Sequence, residues 1–188
     1  MRVISGKFKK KKLLLPDPKI TRPLRDFVKE NIFNLLAHSQ LLKFNFNKST
    51  VLDFFSGSGS FGIECMSRGT SEVIFVEREQ HSINILCQNI KNLVLQDNCK
   101  IINQDVLKLD FEKFLKLSVD IVFLDPPYDY KHLDDLFNLL KKNLEKLKKT
   151  LIIIHFESTN MFNFDNYLNI IIKKKYGRSM IIFGKFNY

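Results

Sequence analysis

Asp125-Pro126-Pro127-Tyr128 joins a carboxylate, a stiff backbone and an aromatic face within four residues. Two prolines fix the chain and remove two N–H donors, so nearby carbonyls stay free to accept. The Asp125 carboxylate and a loop carbonyl can then both accept from one exocyclic NH₂ of a base. Such an amine is a poor nucleophile, because its lone pair is delocalised into the ring. Two acceptors orient it toward an incoming electrophile, and placement supplies most of the gain. Tyr128 offers a face on which an extruded base can stack, worth about 1–3 kcal/mol. The bland alternative is a Pro-Pro turn that ends a strand, with a capping Asp. Acids at other strand ends argue against it.

A second cluster is Gly57-Ser58-Gly59-Ser60-Phe61-Gly62, a G-x-G-x-x-G between a strand and a helix. Glycines allow a tight turn and close approach of a ligand, and the helix start offers unsatisfied N–H groups. In this context the pattern is moderately specific for a nucleotide-type ligand. Glu77 ends the next strand, where an acid can hold ribose hydroxyls. Asp53 stands just before the loop. A carboxylate there would repel a pyrophosphate, whereas an ammonium beside a sulfonium would favour it. The balance therefore tilts from a dinucleotide to S-adenosylmethionine. Asp105 can accept from an adenine amine, with Ile102 and Val106 beside the ring; a helix-capping or turn role for Asp105 is the competing reading.

These groups are positioned by a regular alternation of elements. Apolar strands are expected at 51–55, 73–76, 100–102, 121–124 and 151–154, with helices between them. The helical faces are Ile83, Leu86, Cys87, Ile90 and Leu93, then Leu133, Leu136, Phe137, Leu140 and Leu144. Short apolar strands alternating with helices mean a parallel sheet covered on both faces. Ligands of such sheets sit beyond the carboxyl ends of the strands. Four of those ends carry Asp53, Glu77, Asp105 and Asp125. Two final strands, Ile170–Ile172 and Met180–Phe183, turn through Tyr176-Gly177-Arg178 and must be antiparallel. Before the sheet, Val3-Ile4 and Leu13-Leu14-Leu15 suggest a short β-ribbon around Gly6 and the lysines. Thr21-Arg22-Pro23 is read as opening a helix whose face carries Phe27, Val28, Ile32, Leu35 and Leu36. Phe54, Phe55 and Phe61 are expected in the core. His155 and Glu157 follow the fifth strand and either line the rim or lie in solvent.

The chain has 188 residues and a net charge of +10. Residues 1–30 hold ten Lys and Arg against three acids, and 173–188 hold five against none. Residues 31–172 are nearly balanced, with fifteen against seventeen. Basic ends on a neutral body suggest a polyanionic partner. Lys9, Lys10, Lys11, Lys12, Arg22, Arg25 and Arg178 are the candidate contacts. No stretch is long and apolar enough for a membrane span, and the start does not read as a secretory signal. The three cysteines are too few and too scattered for a disulfide framework, which fits a reducing cytoplasm. The four histidines show no metal-ligand spacing, and no metal is expected.

V-L-D-F-F-S-G-S-G-S-F-G (51–62), the acid at 77, N-Q-D-V (103–106) and D-P-P-Y (125–128) resemble the motifs of class I S-adenosylmethionine-dependent methyltransferases acting on amino nitrogens. M-R-V-I-S-G-K (1–7), T-R-P (21–23), F-N-L-L (33–36) and K-K-Y-G-R-S (174–179) narrow the resemblance to the small bacterial 16S ribosomal RNA guanine-N2 methyltransferases. It spans nearly the whole chain. The resemblance implies a Rossmann-like α/β fold: a seven-stranded, mostly parallel sheet with a C-terminal antiparallel hairpin, preceded by a ribbon and a helix. It implies one methyltransferase domain over 1–188, with 1–40 as a basic extension packed on it. Asp53, Ser56, Gly57 and Gly59 would hold the methionine part of the cofactor, Glu77 the ribose, and Asp105 with Val106 the adenine. Asp125, Pro126 and Tyr128 would form the acceptor-amine site. The implied substrate is one guanine of 16S ribosomal RNA in a partly assembled small subunit, and the protein is expected to be monomeric. An adenine-N6 methyltransferase, a nicotinamide-dependent dehydrogenase and a non-catalytic RNA-binding assembly factor are the competing readings.

Overall fold

The computed structural model describes residues 1–17, 24–42, 44–111, 118–143 and 149–187. Thr21-Arg22-Pro23 and Leu144 lie outside the described residues.

Four described helices, α1 (Asp26–His38), α2 (Ser60–Ser67), α3 (Gln80–Asn92) and α4 (Leu133–Lys142), accompany seven strands. The strands are β1 (Thr50–Phe54), β2 (Glu72–Glu77), β3 (Cys99–Asn103), β4 (Ile121–Leu124), β5 (Leu151–Glu157), β6 (Leu168–Tyr176) and β7 (Ser179–Phe186). They form one sheet in the order β3-β2-β1-β4-β5-β7-β6. The first five are mutually parallel, and β7 runs antiparallel to both β5 and β6. This is the expected mostly parallel, Rossmann-like sheet with a C-terminal hairpin.

Strand alternation divides the core into two layers. Val51, Phe75, Phe123 and Ile153 face α1, α2 and α3. Leu52, Val76, Val122 and Ile154 face α4 and the short turn at Val106–Lys108. From β1 the chain proceeds outward to β2 and β3, then returns to place β4 on the other side of β1. The crevice where that direction reverses is where open α/β sheets bind ligands.

The hairpin's second strand, not its first, joins the parallel sheet. Ile181, Ile182 and Phe183 are fully buried, as an interior strand requires, whereas Lys173, Lys174 and Lys175 are exposed on β6. A lysine-rich edge strand resists further pairing.

The N-terminal segment forms a minimal ribbon, bridged between Arg2 and Lys12, with Val3 and Leu13 buried. It docks on α2 through polar clasps. Glu64, wholly buried, accepts from the Ile4 and Ser5 amides at 2.7 and 3.0 Å and from Arg68 Nε at 2.9 Å. Asn89 on α3 exchanges two hydrogen bonds with the Leu14 backbone, at 2.8 and 3.0 Å. Lys29 on α1 is also fully buried and donates to Arg2 O and Ser60 Oγ at 2.8 and 3.0 Å. Burial lowers its pKa from the ordinary lysine value, against the pull of Glu64 and Asp26.

Three expectations need correction. Phe27 does not join the helix's apolar face; it is 63% exposed and packs edge-on against Tyr176. Its place in the buried stripe is taken by Lys29, beside Val28, Ile32, Phe33 and Leu36. Phe55 is only half-buried and has left the strand, with φ of +56°. His155 and Glu157 do not follow β5 but belong to it, because antiparallel pairing with β7 prolongs the strand past the end of its parallel partner β4.

Candidate active site

The rim is assembled by register. Asp53 lies opposite Phe75 on β2 and Phe123 on β4, both in the layer facing α2. Two residues further on the same strands come Glu77 and Asp125, and alternation points them to the same side. Asp125 lies one residue past the paired end of β4, next to His155 on β5. Asp53, Phe55, Ser56, Gly57, Ser60 and Asp125 line one cleft, with Pro16 and Leu24 of the N-terminal region on its wall. It encloses about 430 Å³ of empty space open to solvent.

Asp53 is 1% exposed and accepts the Gly62 amide at 3.0 Å. Burial drives its carboxyl well above the usual range; the charges of Asp125 and Glu77 push the same way, and the Gly62 bond opposes them. A buried carboxyl in that state gains from a cation placed beside it.

The loop after β1 is held from β2. Glu77 accepts from the amides of Gly57 (2.8 Å), Arg78 (2.8 Å) and Glu79 (2.9 Å). Ser56 N–H and the Gly59 amide close the turn on Val76 O and Ser56 O. Gly57 and Gly59 have φ of +52° and +78°, a backbone that glycine adopts without a Cβ penalty. Glu77 is thus both a rim acid and the clasp that shapes the glycine loop.

Asp105 shows the capping geometry. It accepts from the Leu107 amide and from Arg78, each at 3.0 Å. Burial pushes its carboxyl up, but these two partners outweigh it and hold it below the ordinary value. Val106 beside it is buried. Tyr130 sits between Phe55, edge-on at 5.1 Å, and the charge of Asp105. Its hydroxyl oxygen is buried with no hydrogen-bond partner among the described residues. Burial first, then Asp105, pushes its pKa up to about 12.

Asp125 Oδ1 is 2.7 Å from His155 Nδ1, and His155 Nε2 is 3.0 Å from Ser179 Oγ on β7. Pro126 is buried, and the Pro127 carbonyl receives the Tyr130 amide at 3.0 Å. The Tyr128 ring is half-buried and edge-on to His155 at 6.2 Å.

None of the described basic candidates lines this cleft. Lys9, Lys10, Lys11 and Lys12 are exposed on the ribbon, and Arg25 is exposed immediately before α1. Arg178 is exposed in the β6–β7 turn and pairs with Glu157, its Nε at 3.0 Å. Arg22 lies outside the described residues. Among the described residues no group of His, Cys, Asp and Glu could hold a metal ion, and no helix is long and apolar enough to cross a membrane.

Sequence reasoning missed the His155–Ser179 pair, Arg78 and Tyr130 at the site, and Glu64, Lys29 and Asn89 behind it. For the last three a signal existed. Each is a polar residue inside an apolar helical stripe, Glu64 within the entirely buried Ser60–Ser67.

A family model described as conserved hypothetical protein 95 matches residues 1–185. The ribosomal RNA small subunit methyltransferase D of Buchnera aphidicola (subsp. Baizongia pistaciae) is 32% identical, over 85% of this chain and 77% of that protein. The protein of the same name from Escherichia coli K12 is 30% identical, over 85% and 76%. A solved structure of a candidate methyltransferase from Escherichia coli superposes with a TM-score of 0.77 at 26% identity, covering 100% of this chain and 98% of that one. The chain therefore belongs to the conserved hypothetical protein 95 family, the family of the small-subunit ribosomal RNA methyltransferases D.

Proposed function

We propose that this chain is an S-adenosylmethionine-dependent methyltransferase acting on the N2 amine of a guanine in 16S ribosomal RNA. One observation carries the reading: two carboxyl groups, the buried Asp53 and the partly exposed Asp125, line a single cleft at the sheet's reversal point. The relatives named for ribosomal RNA methylation support the RNA substrate.

The cofactor suits the residues present. Asp53, a buried carboxyl whose charged form is disfavoured by desolvation, would gain from an ammonium placed beside it. The buried Tyr130 hydroxyl, unpartnered among the described residues, fits a polar ligand atom near Asp105. When bound, S-adenosylmethionine supplies an electrophilic methyl on a sulfonium. Asp53, Ser56, Gly57 and Gly59 would hold its methionine part, Glu77 its ribose, and Asp105 with Val106 its adenine.

Glu77 and Asp105 would do this as already-engaged groups. Three amides on Glu77, and Leu107 with Arg78 on Asp105, fix their orientation before any ligand arrives. At the acceptor side, Asp125 and a carbonyl of the Pro126-Pro127 turn would accept one hydrogen bond each from the two N–H groups of the guanine amine. The lone pair is then turned toward the methyl, and Tyr128 stacks on the extruded base. Proximity and orientation supply the acceleration, with no covalent enzyme intermediate.

The lysines of the ribbon, with Arg22, Arg25 and Arg178, would dock RNA phosphates, on a chain acting as one domain and as a monomer. A partly assembled small subunit is the proposed substrate. Asp125→Ala tests the acceptor role. Cofactor binding should stay within about threefold while methyl transfer falls by about three orders of magnitude or more. Near-normal turnover rejects it.

A further inference from the structure

We propose that His155, backed by Ser179, is a positioning residue that locks the Asp125 carboxylate for the acceptor amine. The inference rests on the acceptor role given to Asp125 above. It begins with an oddity of β5. In Leu151-Ile152-Ile153-Ile154-His155-Phe156 an imidazole occupies an otherwise apolar run of the strand, and it is 1% exposed. An imidazole buried there carries a desolvation cost unless its ring nitrogens are partnered. Here both are, by Asp125 just past the end of β4 and by Ser179 of β7.

The partners fix the direction of the network. An ionised Asp125 can only accept, so Nδ1 carries the proton and donates across 2.7 Å. In the neutral ring Nε2 is then an acceptor, and the Ser179 hydroxyl, 3.0 Å away, can donate to it. Ser179 is itself 6% exposed and opens β7, opposite Glu157. Ser179 and His155 thus stand on the paired strands β7 and β5, and Asp125 stands one residue past the paired end of β4.

What this does to Asp125 follows from its place. Its main chain is stiffened by Pro126 and Pro127. Its side chain is free to rotate until Oδ1 is tied to His155. Once tied, Oδ2 is the oxygen left for a ligand of the cleft. A rotating carboxylate would point at the amine only part of the time, and a misplacement of about 1 Å can cost about 100-fold in rate.

The test compares His155→Phe, His155→Asn and Ser179→Ala, assayed as methyl transfer to small subunits. Phe fills the ring's volume without a donor. Asn keeps an N–H near the Nδ1 position. His155→Phe is expected to lower kcat about 100-fold, with cofactor Kd and RNA KM within about threefold. His155→Asn should recover at least about tenfold of that loss, and Ser179→Ala should lie between. If His155→Phe turns over within about threefold of wild type, or if Phe and Asn lose cofactor binding and turnover equally, positioning is overturned. A second readout needs no turnover. Nitrogen-15 histidine spectra of the cofactor-free protein should show a protonated, strongly hydrogen-bonded Nδ1 on His155 that is lost in Asp125→Ala. An unprotonated Nδ1 overturns the proposal. If the wild-type product is a methylated adenosine, the guanine reading fails while the Phe-against-Asn contrast still decides the role of His155.

Discussion

Asp53 shows how burial converts an ordinary side chain into a selective one. Its carboxyl is raised chiefly by desolvation. A raised acid stabilises the fold at pH values below the unfolded carboxylate's range, and that contribution is lost as pH rises through the folded value. At neutral pH the cofactor-free protein therefore bears part of the cost of this buried group. Asp53→Asn should leave the thermal midpoint of the cofactor-free protein unchanged or higher, while weakening cofactor binding at least about tenfold. Scanning calorimetry and titration calorimetry measure the two, and unchanged affinity contradicts the ammonium role. An ammonium ligand also pulls the carboxyl's pKa down, so binding should release a proton and tighten as pH rises through the raised value. Titrations in buffers of different ionisation enthalpy detect that proton. At this scale the sequence announced the acids but not their partners. Asp53, Glu77, Asp105 and Asp125 were visible because they interrupt apolar strand ends. The three amides on Glu77 and the pairing of Asp105 with Arg78 depend on a turn geometry that no spacing encodes.

The elements are held by close contacts that a sequence hints at only through glycine. A Cβ on Gly59 would meet Leu86 Cδ1 at 2.3 Å, at a φ of +78°. Gly59→Ala should cost about 1–3 kcal/mol in urea unfolding and loosen the cofactor loop. An unchanged midpoint would show that Leu86 and the loop backbone can make room for a Cβ there. The ribbon rests on α2 still more tightly, since a Cβ on Gly6 would fall 1.7 Å from Ser67 O. Glu64 is the polar anchor of that contact. Glu64→Ala leaves two ribbon amides and Arg68 without their acceptor and should destabilise by about 3 kcal/mol. A loss below about 0.5 kcal/mol would show that the apolar contacts of Val3 and Leu13 suffice to hold the ribbon. The strands and helices were legible because their periods are clean and their ends are marked by Gly, Pro and acids. Glu64, Lys29 and Asn89 were not read as buried, because a charged or amide side chain on a helix is ordinarily solvated. Only their position inside an apolar stripe betrays them.

Across the whole molecule, charge and topology divide the work. The parallel half builds the cleft, the antiparallel hairpin extends the sheet to its β6 edge, and the basic excess sits at both ends of the chain. The parallel character of the sheet was evident from unbroken apolar strands. The insertion of β7 between β5 and β6 was not read, though Lys173, Lys174 and Lys175 mark β6 as the edge. The exposed lysines of the ribbon predict a steep salt response. If about six phosphates are neutralised, affinity for small-subunit RNA should fall about 10³-fold between 50 and 200 mM salt. Replacing Lys9 through Lys12 with Gln should flatten that slope by about three to four units. A salt-independent affinity would mean that the terminal charge does not contact RNA. The most direct measurement is radiolabelled methyl transfer from S-adenosylmethionine to small subunits lacking their own methylations, with the product nucleoside identified. The expected product is N2-methylguanosine in 16S ribosomal RNA, abolished by Asp125→Ala. A methylated adenosine, or no label in the RNA, would contradict it.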